Sequence, residues 1–363
     1  FIPAMFGIFG HGNVAGLGQA LDEFNDELPF IQGRNEQAIA HAAIAFAKAS
    51  KRRQALAVTA SIGPGSLNMV TAAGLATVNR LPVLLIPGDT YATRRQGPVL
   101  QQLENPSAPD VTSNDAFRPV SRFFDRITRP EQLLTALPQA FRVLANPVET
   151  GAVVLAMPQD VQSHAFDYPI EFFEPNDWKI RRPEPSRDEV SVVAEILRKS
   201  KKPLIIAGGG VIYSDATKEL EALADATNIP VAETFGGKGA VQKKSPWHVW
   251  GIGLEGTPDT NRLVEQADVI LHIGTRLTDF ATASQSIFQN PDVQFVSLNV
   301  SEFDGVKQGA QTIVADAKLG LKALTEALSG YQVPSEWSLQ VVSSMKHWQV
   351  VRDAAIDPDL LEL

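Results

Sequence analysis

The 363-residue chain contains no cysteine. That removes disulfides, thiolate metal sites and a cysteine nucleophile together. No segment concentrates lysine and arginine with aromatic residues, and the formal charge is −9 at pH 7, so nucleic acid is not an expected partner. No apolar run reaches the roughly 18 residues of a membrane-spanning helix. There is no P-loop, no H-E-x-x-H and no G-x-S-x-G, which leaves serine-nucleophile hydrolysis and protein-bound zinc chemistry without support. The first residues, FIPAMFGIFGHGN, show neither an initiator methionine nor the charged region of a signal peptide. The chain therefore reads as part of something longer, and a cytoplasmic location is expected.

What is present is a globular composition, 44% hydrophobic and 20% charged, in a chain long enough for about two domains. Apolar runs at 5–9, 29–32, 55–61, 82–88 and 151–158 read as strands. Between them, helical patterns are expected at 14–24, from Asn35, at 65–78 and at 130–144. The strands are continuous apolar runs rather than alternating ones, the signature of parallel sheets covered on both faces. Residues 166–187 carry Pro, Asp, Glu and aromatics without period and read as a linker. Beyond them the alternation restarts. The expected fold is α/β, with two doubly wound parallel-sheet domains. The boundaries are 1–165, a linker at 166–187, 188–330, and a weakly patterned tail at 331–363.

Open parallel sheets bind ligands at the carboxyl ends of their strands. Three loops fall there, GHGN (10–13), SIGPGS (61–66) and PGDTYATRR (87–95), and the Asn35–Glu36 turn joins them. Each alone is a turn; four at one sheet edge point to a site. Glu36 heads GRNEQAIAHAAIAFAKA, the most apolar helix. One reading is a first-turn acid suiting the helix dipole beside the Asn35 cap. The other is a carboxyl group kept dry, raised above its free value of about 4.3 and able to exchange a proton with a nitrogen heterocycle. His11 is reachable between glycines, or simply a hydrogen-bonded loop histidine. His41 reads as packing. Asp89, Arg94 and Arg95 read as an ion-pair group. The glycines Gly208–Gly210 follow a strand but lack G-x-G-x-x-G spacing.

The runs RNEQAIAHAAIAFAKA, GPGSLN and NRLPVLLIPGD resemble the pyrimidine-binding domain of thiamine-diphosphate enzymes. The fuller wording, including FGHGNVAGLGQAL, NDAFRPVSRFFDRITRPEQL and IGTRLTDFATAS, is similar to the trihydroxycyclohexanedione hydrolases of myo-inositol catabolism, from Phe6 to about Leu328. The likeness to acetolactate synthases is looser. The resemblance implies pyrimidine-binding, central and pyrophosphate-binding domains. The last of these carries a G-D-G motif that holds Mg2+ and the diphosphate; this sequence has no G-D-G. The third domain and a helix before Phe1 are therefore expected to lie outside the chain, and activity is not expected of the chain alone.

Residue by residue, the resemblance assigns Glu36 to the acid that hydrogen-bonds the aminopyrimidine ring. It assigns Gly63, Pro64, Gly65 and Asn68 to the loop beside that ring. Gln101 matches a glutamine lining the substrate side, and His11 falls where substrate proton transfer is plausible. It further implies thiamine diphosphate as cofactor and hydrolytic C–C cleavage of 3D-(3,5/4)-trihydroxycyclohexane-1,2-dione to 5-deoxy-D-glucuronate. It implies a homodimer or homotetramer with its site at the subunit interface, and no flavin is required. Two alternatives stand beside this: a carboligase acting on pyruvate, and a non-catalytic binding relic. A nucleotide-dependent oxidoreductase would rest on Gly208–Gly210 alone.

Overall fold

Continuous apolar runs build the centres of two separate sheets. The computed structural model describes residues 1–95, 97–100 and 102–356. It divides into one unit of Phe1–Arg181 and a second from Arg182 on.

In the first unit the strands are β1 (Met5–Gly7), β2 (Phe30–Gln32), β3 (Ala57–Ala60), β4 (Val83–Asp89), β5 (Phe123–Arg126) and β6 (Ala152–Pro158). All pair in parallel, in the order β2-β1-β3-β4-β6-β5. The chain reverses its winding between β1 and β3, which opens a crevice at their carboxyl ends. Helix Glu36–Ala49 covers β1 and β3. It buries Ala40, Ala43, Ile44 and Ala47, an i, i+3, i+4, i+7 stripe. Its first turn is capped by Asn35, whose side chain accepts the Ala38 N–H at 2.9 Å.

Two expected helices differ in detail. The pattern at 14–24 divides into a π-wound turn, Val14–Gly18, and a short α-helix, Gln19–Glu23. The cause is the Gly18 N–H, which donates to Asn13 O at 2.9 Å across five residues. The pattern at 65–78 breaks into Pro64–Leu67 and Val70–Asn79. Within 166–181 the aromatics stack on one another and on the first unit. Tyr168 lies 5.3 Å from Phe172, its hydroxyl donates to Pro130 O at 2.9 Å, and Trp178 stacks on Phe141 at 5.6 Å.

The second unit has β7 (Pro203–Ala207), β8 (Val231–Glu233), β9 (His248–Gly251), β10 (Val269–Ile273), β11 (Gln294–Asn299) and β12 (Gln311–Val314). They are parallel in the order β12-β11-β10-β7-β8-β9, a doubly wound sheet with its reversal between β7 and β10. Helices Arg187–Lys199, Thr217–Thr227, Pro258–Gln266 and Ala317–Ala327 cover it, and a 21-residue helix, Ser335–Ala355, packs on Pro258–Gln266. Among the described residues no helix is long and apolar enough to cross a membrane.

His272 stands in β10 at 1% exposure. Burial drives its imidazole down from 6.5 to about 4, only partly offset by the Thr275 backbone. Between those values the unfolded chain takes up a proton that the folded chain refuses. Stability is therefore full above pH 6.5 and falls as the pH drops toward 4, by up to about 3 kcal/mol. In urea titrations the stability of the protein should fall relative to that of His272→Leu as the pH drops through this window. A stability difference that stays constant would overturn the assignment.

Candidate functional site

The loops at the first sheet's carboxyl edge form one interlocked surface. Asn13 is 1% exposed. Its Oδ1 accepts the Gly10 N–H at 2.9 Å, and its Nδ2 donates to Ile8 O and Thr59 Oγ1, both at 3.1 Å. Thr59 Oγ1 in turn donates to Ile86 O at 2.8 Å. This buried chain of polar groups ties the ends of β1, β3 and β4 with every partner satisfied.

Ser61 joins the loops above it. Its Oγ accepts the Gly12 N–H at 3.3 Å. A Cβ on Gly10 would stand 2.6 Å from that oxygen, and one on Gly65 would stand 3.7 Å from Ser61 Cβ. A Cβ on Gly88 would stand 2.5 Å from Gly12 O. Glycine at 10 and 88 is thus required by close approach of neighbouring atoms. Gly63 has φ +72°, and Pro64 opens the short helix that follows it.

Glu36 meets this surface from the N-terminus of its helix. Its Oε2 accepts the Asn68 Nδ2–H at 2.9 Å. Its Oε1 lies 3.4 Å from where a Cβ on Gly65 would be. Among the described residues no hydrogen bond reaches Oε1. The side chain is half-buried, not the enclosed carboxyl expected from its apolar helix. The alanine stripe turns inward one turn later, while residue 36 overhangs the sheet edge.

His11 occupies the middle of GHGN. Its Nε2 is buried and has no hydrogen-bond partner among the described residues. Glu36, Gly63, Pro64, Gly65 and Asn68 are thus brought together, and His11 lies on the loop packed against Ser61. Gln101 lies outside the described residues. His41 bonds Gln37 O through Nδ1 at 2.7 Å, as a packing residue would.

Asp89 pairs not with Arg94 or Arg95 but with Arg126, at 2.7 Å from Nε. Arg126 Nη2 also reaches Asp115 Oδ2 at 2.8 Å and Thr112 Oγ1 at 2.9 Å. Partial burial pushes the Asp115 carboxyl up. Hydrogen bonds from Arg118, the Thr112 N–H and Arg126, with the Arg126 charge, outweigh it and hold the group below its ordinary value. Burial likewise works against the Arg126 charge, and Asp89 and Asp115 together raise its pKa.

Sequence reasoning missed this network and also missed Asp160, which follows β6. Asp160 Oδ1 accepts the Ala92 N–H at 2.9 Å and Oδ2 accepts the Thr93 N–H at 3.2 Å, fixing the loop after β4. The only local signal was the polar run QDVQ after an apolar strand.

Gly208–Gly210 serve a different purpose. A Cβ on Gly208 would stand 2.5 Å from Gly274 O, and one on Gly210 would stand 2.6 Å from Gly274 Cα. These glycines let backbone pack on backbone at the second sheet's reversal, which accounts for them without a nucleotide.

Residues 3–108 match the family model described as thiamine pyrophosphate enzyme, N-terminal TPP binding domain. Residues 190–324 match the one described as thiamine pyrophosphate enzyme, central domain. Over 349 residues, 96% of the chain, the protein is 48% identical to a 3D-(3,5/4)-trihydroxycyclohexane-1,2-dione hydrolase of Bacillus cereus. It is 47% identical over the same share to the hydrolases of that name from Bacillus anthracis and Bacillus thuringiensis. In each case it covers 54% of the relative, so the chain spans about half the length of the curated relatives it matches. With both matched domains seen as separate parallel-sheet units, the chain belongs to the thiamine pyrophosphate enzymes.

Proposed function

We propose that this chain supplies the pyrimidine-binding and central domains of a thiamine-diphosphate-dependent hydrolase that cleaves a C–C bond of 3D-(3,5/4)-trihydroxycyclohexane-1,2-dione. The boundaries 1–165 and 188–330 belong to this reading. The observation that carries it is the 47–48% identity to hydrolases of that name along 96% of the chain.

The residues present fit the pyrimidine end of the cofactor. Glu36 offers a carboxylate oxygen without a donor among the described residues, beside a glycine that leaves space over it. When bound, thiamine diphosphate supplies the carbon nucleophile and electron sink that no side chain provides. Asn68 holds Glu36 Oε2 and so fixes the orientation of Oε1, the atom that carries a proton to or from a ring nitrogen. Gly63, Pro64 and Gly65 set the loop that flanks this carboxylate. His11, with Nε2 unpaired among the described residues, is the group on the β1 loop that can bond a substrate oxygen or carry its proton. Among the described residues no group of three or more His, Asp or Glu stands ready for a metal. No step here passes through the Mg2+ that accompanies the diphosphate.

The same reading places the site at a subunit interface. Ala38, Ala42, Ala45 and Ala49 form one exposed face of helix Glu36–Ala49. Beside it, helix Val70–Asn79 exposes Leu75 at 42% and Val78 at 60%. An apolar face of this kind, at the end of which Glu36 sits, suits burial against another subunit.

One experiment tests the whole reading. The full-length enzyme is fractionated by size, and each fraction is assayed with thiamine diphosphate and magnesium on the dione and on pyruvate. Turnover of the dione, confined to the oligomeric fractions, is expected. Condensation of pyruvate in place of dione hydrolysis would make the enzyme a carboligase. Activity in a monomer would remove the interface.

A further inference from the structure

The loop that carries His11 is held from a direction the reaction does not explain. Gln162 lies in the turn Val161–Ser163, just after β6. Its Nε2 donates to Gly12 O and to Met157 O, both at 2.9 Å. Its Oε1 accepts the Leu17 N–H at 3.2 Å. One side-chain amide therefore grips the segment after His11 at two places, at residue 12 and inside the π-wound turn Val14–Gly18. It anchors both contacts to the end of β6.

The fit is close. A Cβ on Gly16 would collide with Gln162 Cβ and would stand 2.8 Å from Gln162 O. Gly16 is therefore the residue that lets the turn settle on Gln162. A π-wound turn trades ordinary helical bonds for an unusual backbone path, and such turns concentrate at functional sites. Here the turn's N-terminal end leads directly back to His11, whose Nε2 is left without a protein partner among the described residues.

We propose that Gln162 is a positioning residue that sets His11 at the ligand edge, by tying Gly12 to the end of β6 with its N–H groups and the π-wound turn to the same point with its carbonyl. The proposal rests on the reading of His11 as a residue of the reaction site. Only an amide performs both tasks. A carboxylate of the same length keeps the acceptor for Leu17 but cannot donate to Gly12 O or Met157 O. Asparagine is one methylene too short to span the same atoms.

Two variants separate positioning from simple support. In Gln162→Ala, the Leu17 amide should exchange with solvent at least about tenfold faster, measured by hydrogen exchange on the chain itself. In Gln162→Glu the Leu17 amide should remain protected, while Gly12 and His11 lose their anchor. In the full-length enzyme both variants should lower kcat on the dione about 10- to 100-fold with KM within about twofold, the mark of a displaced reacting group. Support alone would instead make kcat follow Leu17 protection, sparing Gln162→Glu. Unchanged Leu17 exchange in Gln162→Ala, or a Gln162→Glu kcat within about twofold of the parent, would overturn the proposal. If the unsubstituted full-length enzyme leaves the dione untouched, the functional reading fails, and the exchange measurement still decides whether Gln162 holds the loop.

Discussion

Replacing Glu36 with glutamine should reduce dione turnover by the full-length enzyme about 10²- to 10⁴-fold, the range of a lost general acid or base. The substitution keeps the length of the side chain and an oxygen that can accept the Asn68 Nδ2–H, found here at 2.9 Å. What it removes is the titratable proton. The competing explanation of Glu36, a first-turn acid that suits the helix dipole, forecasts a different result. The glutamine variant would then lose only about 0.3–1 kcal/mol of stability and keep its activity. Measuring kcat beside the urea midpoint separates the two. Activity within about tenfold of the parent, roughly 1.4 kcal/mol of barrier, would end the catalytic assignment.

Arg126→Met should be the most damaging substitution for the stability of the first unit. The Asp89 side chain is wholly buried at the end of β4, and Arg126 is the cation paired with it, at 2.7 Å. The same guanidinium bonds Asp115 and Thr112. Its removal leaves a buried carboxylate with no paired cation and the Thr90 N–H, donating to Oδ1 at 2.8 Å, as its remaining bond, at a cost of about 3–5 kcal/mol. Neutralising that carboxylate should recover much of the loss, so Asp89→Asn with Arg126→Met should be more stable than Arg126→Met alone. Denaturant unfolding of the two variants checks this. A loss below about 1 kcal/mol for the single variant would mean that the pair behaves like an ordinary surface bridge.

The central strands are legible in the sequence because both faces are covered: β3, β7 and β10 are buried along their whole length and read as apolar runs, broken only by Thr59 in β3 and His272 in β10. Of the edge strands, β2 falls in the run read at 29–32, while β5, β9 and β12 are not legible. In β5, Phe123–Arg126, every residue is half-buried, and β9 and β12 mix exposed with buried positions. Without alternation or an apolar run, they carry no pattern to read. Helix Ser335–Ala355 is obscure for a related reason, since only Trp337 and Val341 are buried along it. The turn at Val14–Gly18 has helical spacing, and its π winding depends on one five-residue hydrogen bond that spacing cannot reveal.

At the site, glycines and the Asn35 cap beside Glu36 are visible locally. The Asp89–Arg126 pair is not, because its members lie 37 positions apart and Arg94 and Arg95 offer nearer cations. An apolar helix suggests an enclosed Glu36, yet its buried stripe begins only at Ala40, and the first turn is where the helix leaves the core.

The seating of the 10–13 and 61–66 loops around Ser61, with Gly88 against Gly12, bears on how this scaffold can change its chemistry. Gly10, Gly12 and Gly65 all come up against that one residue, and Gly12 is in turn wedged against Gly88. Lengthening any single segment would displace its neighbours, so grafting a foreign loop onto this rim should disturb all of them at once. New substrate preferences are more readily installed by exchanging individual side chains on an unaltered main-chain framework.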